Sequence, residues 1–281
     1  MHVQSAPTRP APAPWRPPLF IKASVACHLG AGLAVAVAPQ AWPWALGAVA
    51  LNHALLTGTG LWPRSTWLGS NMRRLPAAAT HRREVALTID DGPDSEVTPA
   101  VLDLLEAHGA RATFFCIAQH AQAHPQLCRE IVRRGHSVQN HSHRHRHNFS
   151  LLGLRGVSRE LEAAQDALSQ ITGERPRFFR APAGLRNPFL APVLHRLELQ
   201  LVSWTRRGFD TVRTEPERVL ARLTDSLAAG DILLLHDHNG ARTATGRPVV
   251  LEVLPALLRA FAQGGLHSVT LPDATRTEQA A

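Results

Sequence analysis

The chain has 281 residues, and its 30 Lys and Arg against 22 Asp and Glu give a net charge of +8. All of this excess lies in residues 1–83, which hold eight cations and no anion, so the remaining 198 residues are neutral. Because duplex binding needs a clustered excess of cations on the folded domain, the sequence argues against a nucleic-acid partner. The odd count of three cysteines also excludes a complete disulfide framework.

The N-terminal quarter predicts a tail followed by a membrane anchor. Residues 1–18 contain six prolines and are expected to form an extended tail. Two apolar runs follow in the anchor segment 19–63, over residues 19–38 and 42–62. Each run has about 20 residues, and at about 1.5 Å per residue this matches the roughly 30 Å hydrocarbon core of a bilayer. Five of the six tryptophans lie at or near the ends of these runs, as is typical of membrane interfaces.

We therefore expect a transmembrane helical hairpin. Three other arrangements stay open: one anchored span, a secretory signal peptide cleaved after Ala34-Val35-Ala36, and a hairpin that lies in the membrane interface. If two spans form, both flanks are basic, including the linker at 64–83. The positive-inside bias would then place the following domain on the cytoplasmic face of a bacterial-type inner membrane.

Residues 84–272 predict one α/β domain, and residues 273–281 a short tail. Predicted strands lie at Val85–Ile89, Ala112–Ile117, Ser137–Asn140, Arg177–Phe179, Gln200–Ser203, Ile232–Leu235 and His267–Thr270. Predicted helices lie at Thr98–Ala107, Pro125–Arg134, Val157–Ile171, Glu215–Ala228 and Val249–Ala262. Strands that alternate with helices indicate a parallel sheet, either doubly wound or closed as a (β/α) barrel.

Polar residues follow five of these strands. Asp90 and Asp91 follow the first, a His-rich run at 141–147 the third, Arg180 the fourth, residues 204–210 the fifth and His236 the sixth. Since the carboxyl ends of parallel strands converge on one rim, we expect these residues to form one site there.

Each of these motifs, taken alone, could have a purely structural explanation. Asp90 and Asp91 could simply cap the next helix, although adjacent carboxylates repel unless a cation compensates them. The run at 141–147 could be an incidental surface segment. However, His141 and His145 would share a helical face, and two His with one Asp are a standard ligand set for catalytic zinc. The turn at 180–184 and a structural His236 are equally ordinary when taken alone.

In this order, the motifs resemble those of the polysaccharide deacetylase family, carbohydrate esterase family 4, also called the NodB homology domain. The resemblance covers roughly residues 84–272. It rests on TIDDGP at 88–93, HSHRH at 141–145, RAPAG at 180–184, Trp204 with Asp210 six residues later, and LLHD at 234–237. It implies an α/β fold of the irregular (β/α) barrel type, here preceded by the transmembrane hairpin.

The resemblance also implies a role for each matching residue. Asp91, His141 and His145 would hold a divalent metal, usually Zn²⁺. Asp90 would be the general base with Arg180 as its partner, and His236 the general acid with Asp210 beside it. The backbone N–H of Ala183 would stabilise the oxyanion, and Trp204 would contact substrate. Three positions depart from the family pattern: Ile89 replaces Phe, Ala183 replaces an aromatic residue, and Thr211 stands where Trp is common.

The predicted function is a metal-dependent hydrolase that removes an N-acyl group, most simply acetyl, from amino sugars of a glycan or glycoconjugate. Within this class, a deacylase or deformylase of a lipid-linked sugar at the membrane is an alternative that the predicted topology favours. Two further alternatives are a non-catalytic relic that binds metal or glycan, and a membrane-tethered protein that stores metal on its His-rich run. The oligomeric state does not follow from the sequence.

Overall fold

Eight parallel strands form one curled sheet in the computed structural model, which describes residues 14–276. The strands are β1 Glu84–Asp90, β2 Ala112–Cys116, β3 Ser137–Asn140, β4 Phe178–Phe179, β5 Gln200–Leu201, β6 Arg206–Arg207, β7 Ile232–His236 and β8 His267–Ser268. Their order is β5-β4-β3-β2-β1-β7-β6, and β8 pairs with the start of β1. The register of β1 and β7 sets Asp90 directly beside His236.

Eleven α-helices connect or flank these strands in the described part of the chain. They are α1 Leu19–Val37, α2 Trp42–Leu61, α3 Ala77–His81, α4 Val97–Ala107, α5 Ala118–Ala123, α6 Pro125–Arg133, α7 Leu154–Thr172, α8 Leu190–Arg196, α9 Pro216–Thr224, α10 Val249–Gln263 and α11 Leu271–Ala274. The predicted strands and helices are all present; β3 has the predicted bounds, and the ends of the others are shifted. The sequence did not predict strand β6 or the short helices α3, α5, α8 and α11. Elements this short contain too few residues to show a hydrophobic periodicity.

The sheet is a half-barrel, because β5 and β6 are not hydrogen bonded to each other. Residues 72–75 lie across this gap. The N–H of Met72 donates to Leu201 at 2.9 Å, Ser203 donates back to Met72 at 2.9 Å, and Leu75 donates to Gly230 at 2.8 Å. The segment expected as a basic linker thus lines the open side of the sheet next to the strands that carry the site. The domain limits themselves remain predictions.

Both faces of the sheet are buried, as parallel sheets require. On the outer face, β1, β2 and β7 pack against helices α4, α6, α7, α9 and α10. Inside the curl, Phe115, Phe178 and Ile232 pack against Leu271 of α11, which covers the lower end. Burial on both sides leaves the upper rim, where the strands end, as the open part of the sheet.

The N-terminal residues form a helical hairpin of α1 and α2, joined by a short 3₁₀ turn at Pro39–Ala41. By length and composition, α1 is the single helix of the described residues that could cross a membrane. The second predicted span, α2, falls short because Asn52, His53 and two threonines lower its hydropathy. The structure thus gives one candidate span where two were predicted. Residues 1–13 of the predicted tail, and residues 277–281, lie outside the described part of the chain.

Candidate active site

Asp90 ends β1 on the inner side of the rim and is bonded to a buried arginine. Nη1 of Arg180 donates to Asp90 Oδ1 at 2.7 Å and to Thr88 Oγ1 at 2.7 Å. The guanidinium also donates to the backbone carbonyls of Val202 and Ser203 and stacks 4.2 Å from the ring centroid of Phe115. Arg180 is only 1% exposed, so the pair with Asp90 is shielded from water and fixed in one geometry. The predicted partnership of Asp90 and Arg180 is therefore present.

The three predicted metal ligands converge next to Asp90. Asp91 Oδ1 lies 3.2 Å from His141 Nε2 and 3.4 Å from His145 Nε2, and one ligand atom from each residue lies within 4.8 Å of the others. Nδ1 of His141 donates to the carbonyl of Arg180 at 2.8 Å, which leaves Nε2 with its lone pair toward the site. Within residues 14–276, no other group of three or more His, Cys, Asp or Glu side chains places its ligand atoms this close together.

The loop that brings His141 and His145 together is not a helix, so the expectation that they share a helical face was wrong. The segment after β3 is irregular, and Ser142 and His145 have φ angles of 67° and 48°. Oδ1 of Asn140 accepts from the Ser142 N–H at 2.8 Å, and Ser142 Oγ accepts from the His145 N–H at 3.0 Å. These bonds hold two left-handed residues that turn both imidazoles toward Asp91.

The ligand set fits a divalent metal on electrostatic grounds. Asp91 Oδ1 is buried and has no hydrogen-bond donor among the described residues, which is costly unless a cation compensates it. Burial opposes the charge of Asp91, but the neighbouring imidazoles of His141, His236 and His145 lower the pKa of its carboxyl. Burial, then the charge of His141, lowers the pKa of His145 to about 4, so this imidazole is neutral and free to act as a ligand.

His236 ends β7 and is held by Asp210. Nδ1 of His236 lies 2.9 Å from Asp210 Oδ1, and its backbone N–H donates to Asp210 Oδ2 at 2.7 Å. Burial alone would lower the pKa of His236, but the charge and hydrogen bond of Asp210, followed by the charges of Asp90 and Asp91, raise it to about 9. A charged imidazole at neutral pH is the state that a proton donor needs.

The two predicted substrate contacts differ in position. Ala183 is exposed at a tight turn with a φ angle of 54°, within the loop that carries Arg180. Trp204 is only 8% exposed and lies beneath this loop, where a Cβ on Gly184 would meet its ring at 2.8 Å. The guanidinium of Arg207 lies 5.2 Å from the Trp204 ring. The burial of Trp204 leaves little of its surface for a sugar ring, and its role in substrate binding remains a prediction.

Several supporting residues of the site were given no role by the sequence analysis. His120 donates from Nδ1 to the carbonyl of Asp91 at 2.8 Å, and Asn239 donates to Asp91 Oδ2 at 3.3 Å. Asp237 lies behind Gly92, and burial raises the pKa of its carboxyl to about 7. Only Asn239 and Asp237 had a signal, since they follow the His236 motif directly; nothing in the sequence around His120 pointed to Asp91.

Comparison with known proteins identifies this arrangement. A family model described as polysaccharide deacetylase matches residues 77–202. A chitooligosaccharide deacetylase of Sinorhizobium fredii is 35% identical over 167 residues, which cover 59% of this chain and 77% of that relative. The chain belongs to the polysaccharide deacetylase family, carbohydrate esterase family 4. Polysaccharide deacetylases are hydrolases that act on N-acetyl amide bonds of sugars, and this chain is an enzyme of that class.

Two further members of the family extend the comparison. A peptidoglycan-N-acetylglucosamine deacetylase of Bacillus cereus is 30% identical over 199 residues, which cover 68% of this chain and 88% of the relative. The structure of a family 4 carbohydrate esterase from Streptomyces lividans, in complex with acetate, matches with a TM-score of 0.59 and 31% identity over 66% of this chain and 91% of that one. Asp210 and His236 lie beyond the residues that the family model matches, and the fold brings them to the same rim.

Proposed function

We propose that this polysaccharide deacetylase is a metal-dependent N-deacetylase of amino sugars, with Zn²⁺ at Asp91, His141 and His145. The observation that carries the proposal is the convergence of these three ligands with Asp90 and His236 on one rim. Two His and one Asp suit zinc, and the relatives named above act on N-acetylated glycans. Such a metal supplies Lewis-acid activation of the amide carbonyl and of the attacking water.

The residues of the chain supply the proton transfers. Asp90 takes a proton from the attacking water, and Arg180 fixes the direction of its carboxylate through the 2.7 Å bond to Oδ1. His236, charged because Asp210 stabilises the imidazolium, gives its proton to the amine as the C–N bond breaks. The backbone N–H of Ala183 stabilises the negative charge that develops on the carbonyl oxygen. Acetate and the free amino sugar are the products.

We also propose that the hairpin anchors the enzyme to a membrane with the catalytic domain on the cytoplasmic face. Large apolar side chains are exposed on both helices, among them Leu29, Leu33, Trp44 and Leu51. An exposed apolar surface of this extent is unfavourable in water and favourable in a bilayer. Arg16 precedes α1 and five arginines of residues 64–83 follow α2, so cations flank both outer ends of the hairpin.

Acetate release tests the proposed function. We expect the full chain with Zn²⁺ to release one acetate for each free amine formed from an N-acetylated chitooligosaccharide. Removal of the metal with a chelator should abolish turnover, and one equivalent of Zn²⁺ should restore it. A metal-storage protein would instead retain several ions per chain after dialysis, and a non-catalytic relic would bind one ion without releasing acetate. Either result would contradict the proposal.

A further inference from the structure

A cavity of about 590 Å³ lies between the hairpin and the rim of the active site. One wall is formed by the halves of α1 and α2 nearest the domain, including Val25, Leu29 and Leu56. The opposite wall is formed by Leu151, Arg186 and Phe189 from two loops of the rim. The volume is in the range of ligand sites, and since membrane helices form one wall, an occupant from the bilayer could enter it directly.

The lining of the cavity is mostly apolar. The polar side chains of the hairpin are largely bonded to one another: Asn52 donates to Ser24 at 2.9 Å, and His28 and His53 lie 3.2 Å apart at their Nε2 atoms. Leu151 and Phe189 are exposed on the rim side, where loops normally carry polar residues. This surface is suited to a hydrocarbon chain.

Arg186 lies at the base of the cavity without a partner for its charge. It is 5% exposed, and within residues 14–276 its Nε has no hydrogen-bond acceptor and no carboxylate forms an ion pair with it. Its Nη2 donates to the carbonyl of Ser65, and its backbone is bonded to Gly60 of α2 at 3.1 Å. Because an unpaired buried cation is unfavourable, the site is complementary to an anion. Burial also lowers the pKa of Arg186 to about 10, which leaves it charged at neutral pH.

The cavity and the catalytic rim share one loop. Arg186 follows Ala183 by three residues, a separation of at most about 11 Å in an extended chain. The same loop is fixed to the hairpin, since Gly184 packs against Pro63 so closely that a Cβ would lie 2.7 Å from it. An anion at Arg186 would therefore lie within reach of a sugar bound beside Ala183.

We propose that this cavity binds the hydrocarbon chain of a lipid-linked amino sugar, and that Arg186 meets the phosphate that joins lipid to sugar. The proposal rests on the proposed function and specifies its substrate class. The lipid enters from the membrane along the hairpin, the phosphate is held at the base of the cavity, and the N-acetylated sugar reaches the catalytic rim. Arg16 lines an adjoining cavity that Arg186 also lines, and this second cation favours the anionic lipid surface.

The test compares four substrates that carry the same N-acetylglucosamine: a soluble oligomer, the 1-phosphate, a decyl glycoside and a decyl phosphodiester. Kinetics are measured with the Zn²⁺-loaded full chain in phosphatidylcholine vesicles. We expect kcat/KM to be at least tenfold higher for the decyl phosphodiester than for the decyl glycoside or the 1-phosphate. Similar values for all four substrates would overturn the proposal.

Two substitutions with a matched control locate the effect. Val25→Trp fills the cavity and should remove the increase in kcat/KM that the decyl chain gives, while kcat/KM for the soluble oligomer stays unchanged. Leu33→Trp is the control, because Leu33 is exposed on the same helix but does not line the cavity. Arg186→Met should remove the gain from the phosphate and keep the gain from the decyl chain, with thermal unfolding as the check on folding. If Val25→Trp and Leu33→Trp changed the gain in kcat/KM from the decyl chain to the same extent, the proposal would be overturned.

A binding measurement separates this inference from the proposed function. If no substrate releases acetate, the proposed function fails, and the inference is decided by the calorimetric Kd of the decyl phosphodiester. Weaker binding to Val25→Trp than to Leu33→Trp supports the lipid site, and equal binding contradicts it. Binding of the 1-phosphate as tight as that of the decyl phosphodiester would show an anion site without a lipid.

Discussion

The proposed proton donation by His236 would depend on one buried carboxylate, that of Asp210. Because Asp210 raises the pKa of His236 to about 9, the imidazole is protonated below that pH and loses its proton as the pH rises through it. A metal ion at Asp91 would offset part of the negative charge nearby, so the alkaline limit of activity is expected at or below about pH 9. Asp210→Asn should move this limit to lower pH, which a profile of kcat/KM against pH would measure. An unchanged profile would show that the pair is structural.

Substitution of His236 itself should separate amide from ester substrates. An amine must be protonated to leave, whereas an activated phenolate need not be, so His236→Ala should impair an N-acetylated sugar far more than an aryl acetate. The expected loss on the amide is about 10²–10⁴-fold, the usual contribution of a general acid. Equal losses on both substrates would mean that another residue donates the proton.

At the scale of elements, the loop after β3 determines which histidines lie beside Asp91 and could bind a metal. His145 reaches Asp91 because Ser142 and His145 adopt left-handed backbone angles, whereas Nε2 of His143 lies 3.3 Å from Gln122. We expect His145→Ala to lower the Zn²⁺ content and activity, and His143→Ala to leave the Zn²⁺ content unchanged. Elemental analysis of both variants after dialysis measures this, and the reverse pattern would contradict the structure of the loop.

The sequence was sufficient to predict that Asp91, His141 and His145 come together, but not how the loop brings them together. Spacing alone suggested that His141 and His145 share a helical face, because a periodic pattern cannot reveal side chains such as Asn140 and Ser142 that stabilise an irregular loop. The long strands were predicted because their buried apolar runs dominate the pattern. The two-residue strand β6 was missed because it consists of Arg206 and Arg207, whose pairing with β7 is a tertiary effect.

At the scale of the whole molecule, strand order explains how distant residues meet. Asp90 and His236 are far apart in sequence, yet β1 and β7 are neighbours in the sheet, so the site forms without closure of the barrel. The order of strands cannot be read from the pattern of strands and helices. The half-barrel and the segment at residues 72–75 were likewise beyond the reach of the sequence.

The hairpin gives a prediction for the orientation of the whole molecule. With two spans and basic flanks, the C-terminus lies in the cytoplasm, so a C-terminal fluorescent fusion of the full chain should be bright and an alkaline phosphatase fusion inactive. The single candidate span α1 would give the opposite orientation if it were the only one to cross. An active phosphatase fusion would contradict the cytoplasmic placement.

The central claim is that Asp90 and Asp91, although adjacent, have different tasks, and one comparison tests it most directly. Zn²⁺ content and acetate release are measured side by side for wild type, Asp90→Asn and Asp91→Asn. We predict that Asp90→Asn keeps about one Zn²⁺ per chain while turnover falls about 10²–10⁴-fold, because only the general base is lost. Asp91→Asn should lose both metal and activity. An Asp90→Asn enzyme with full activity, or an Asp91→Asn enzyme with full Zn²⁺ content, would contradict the assignment of base and ligand.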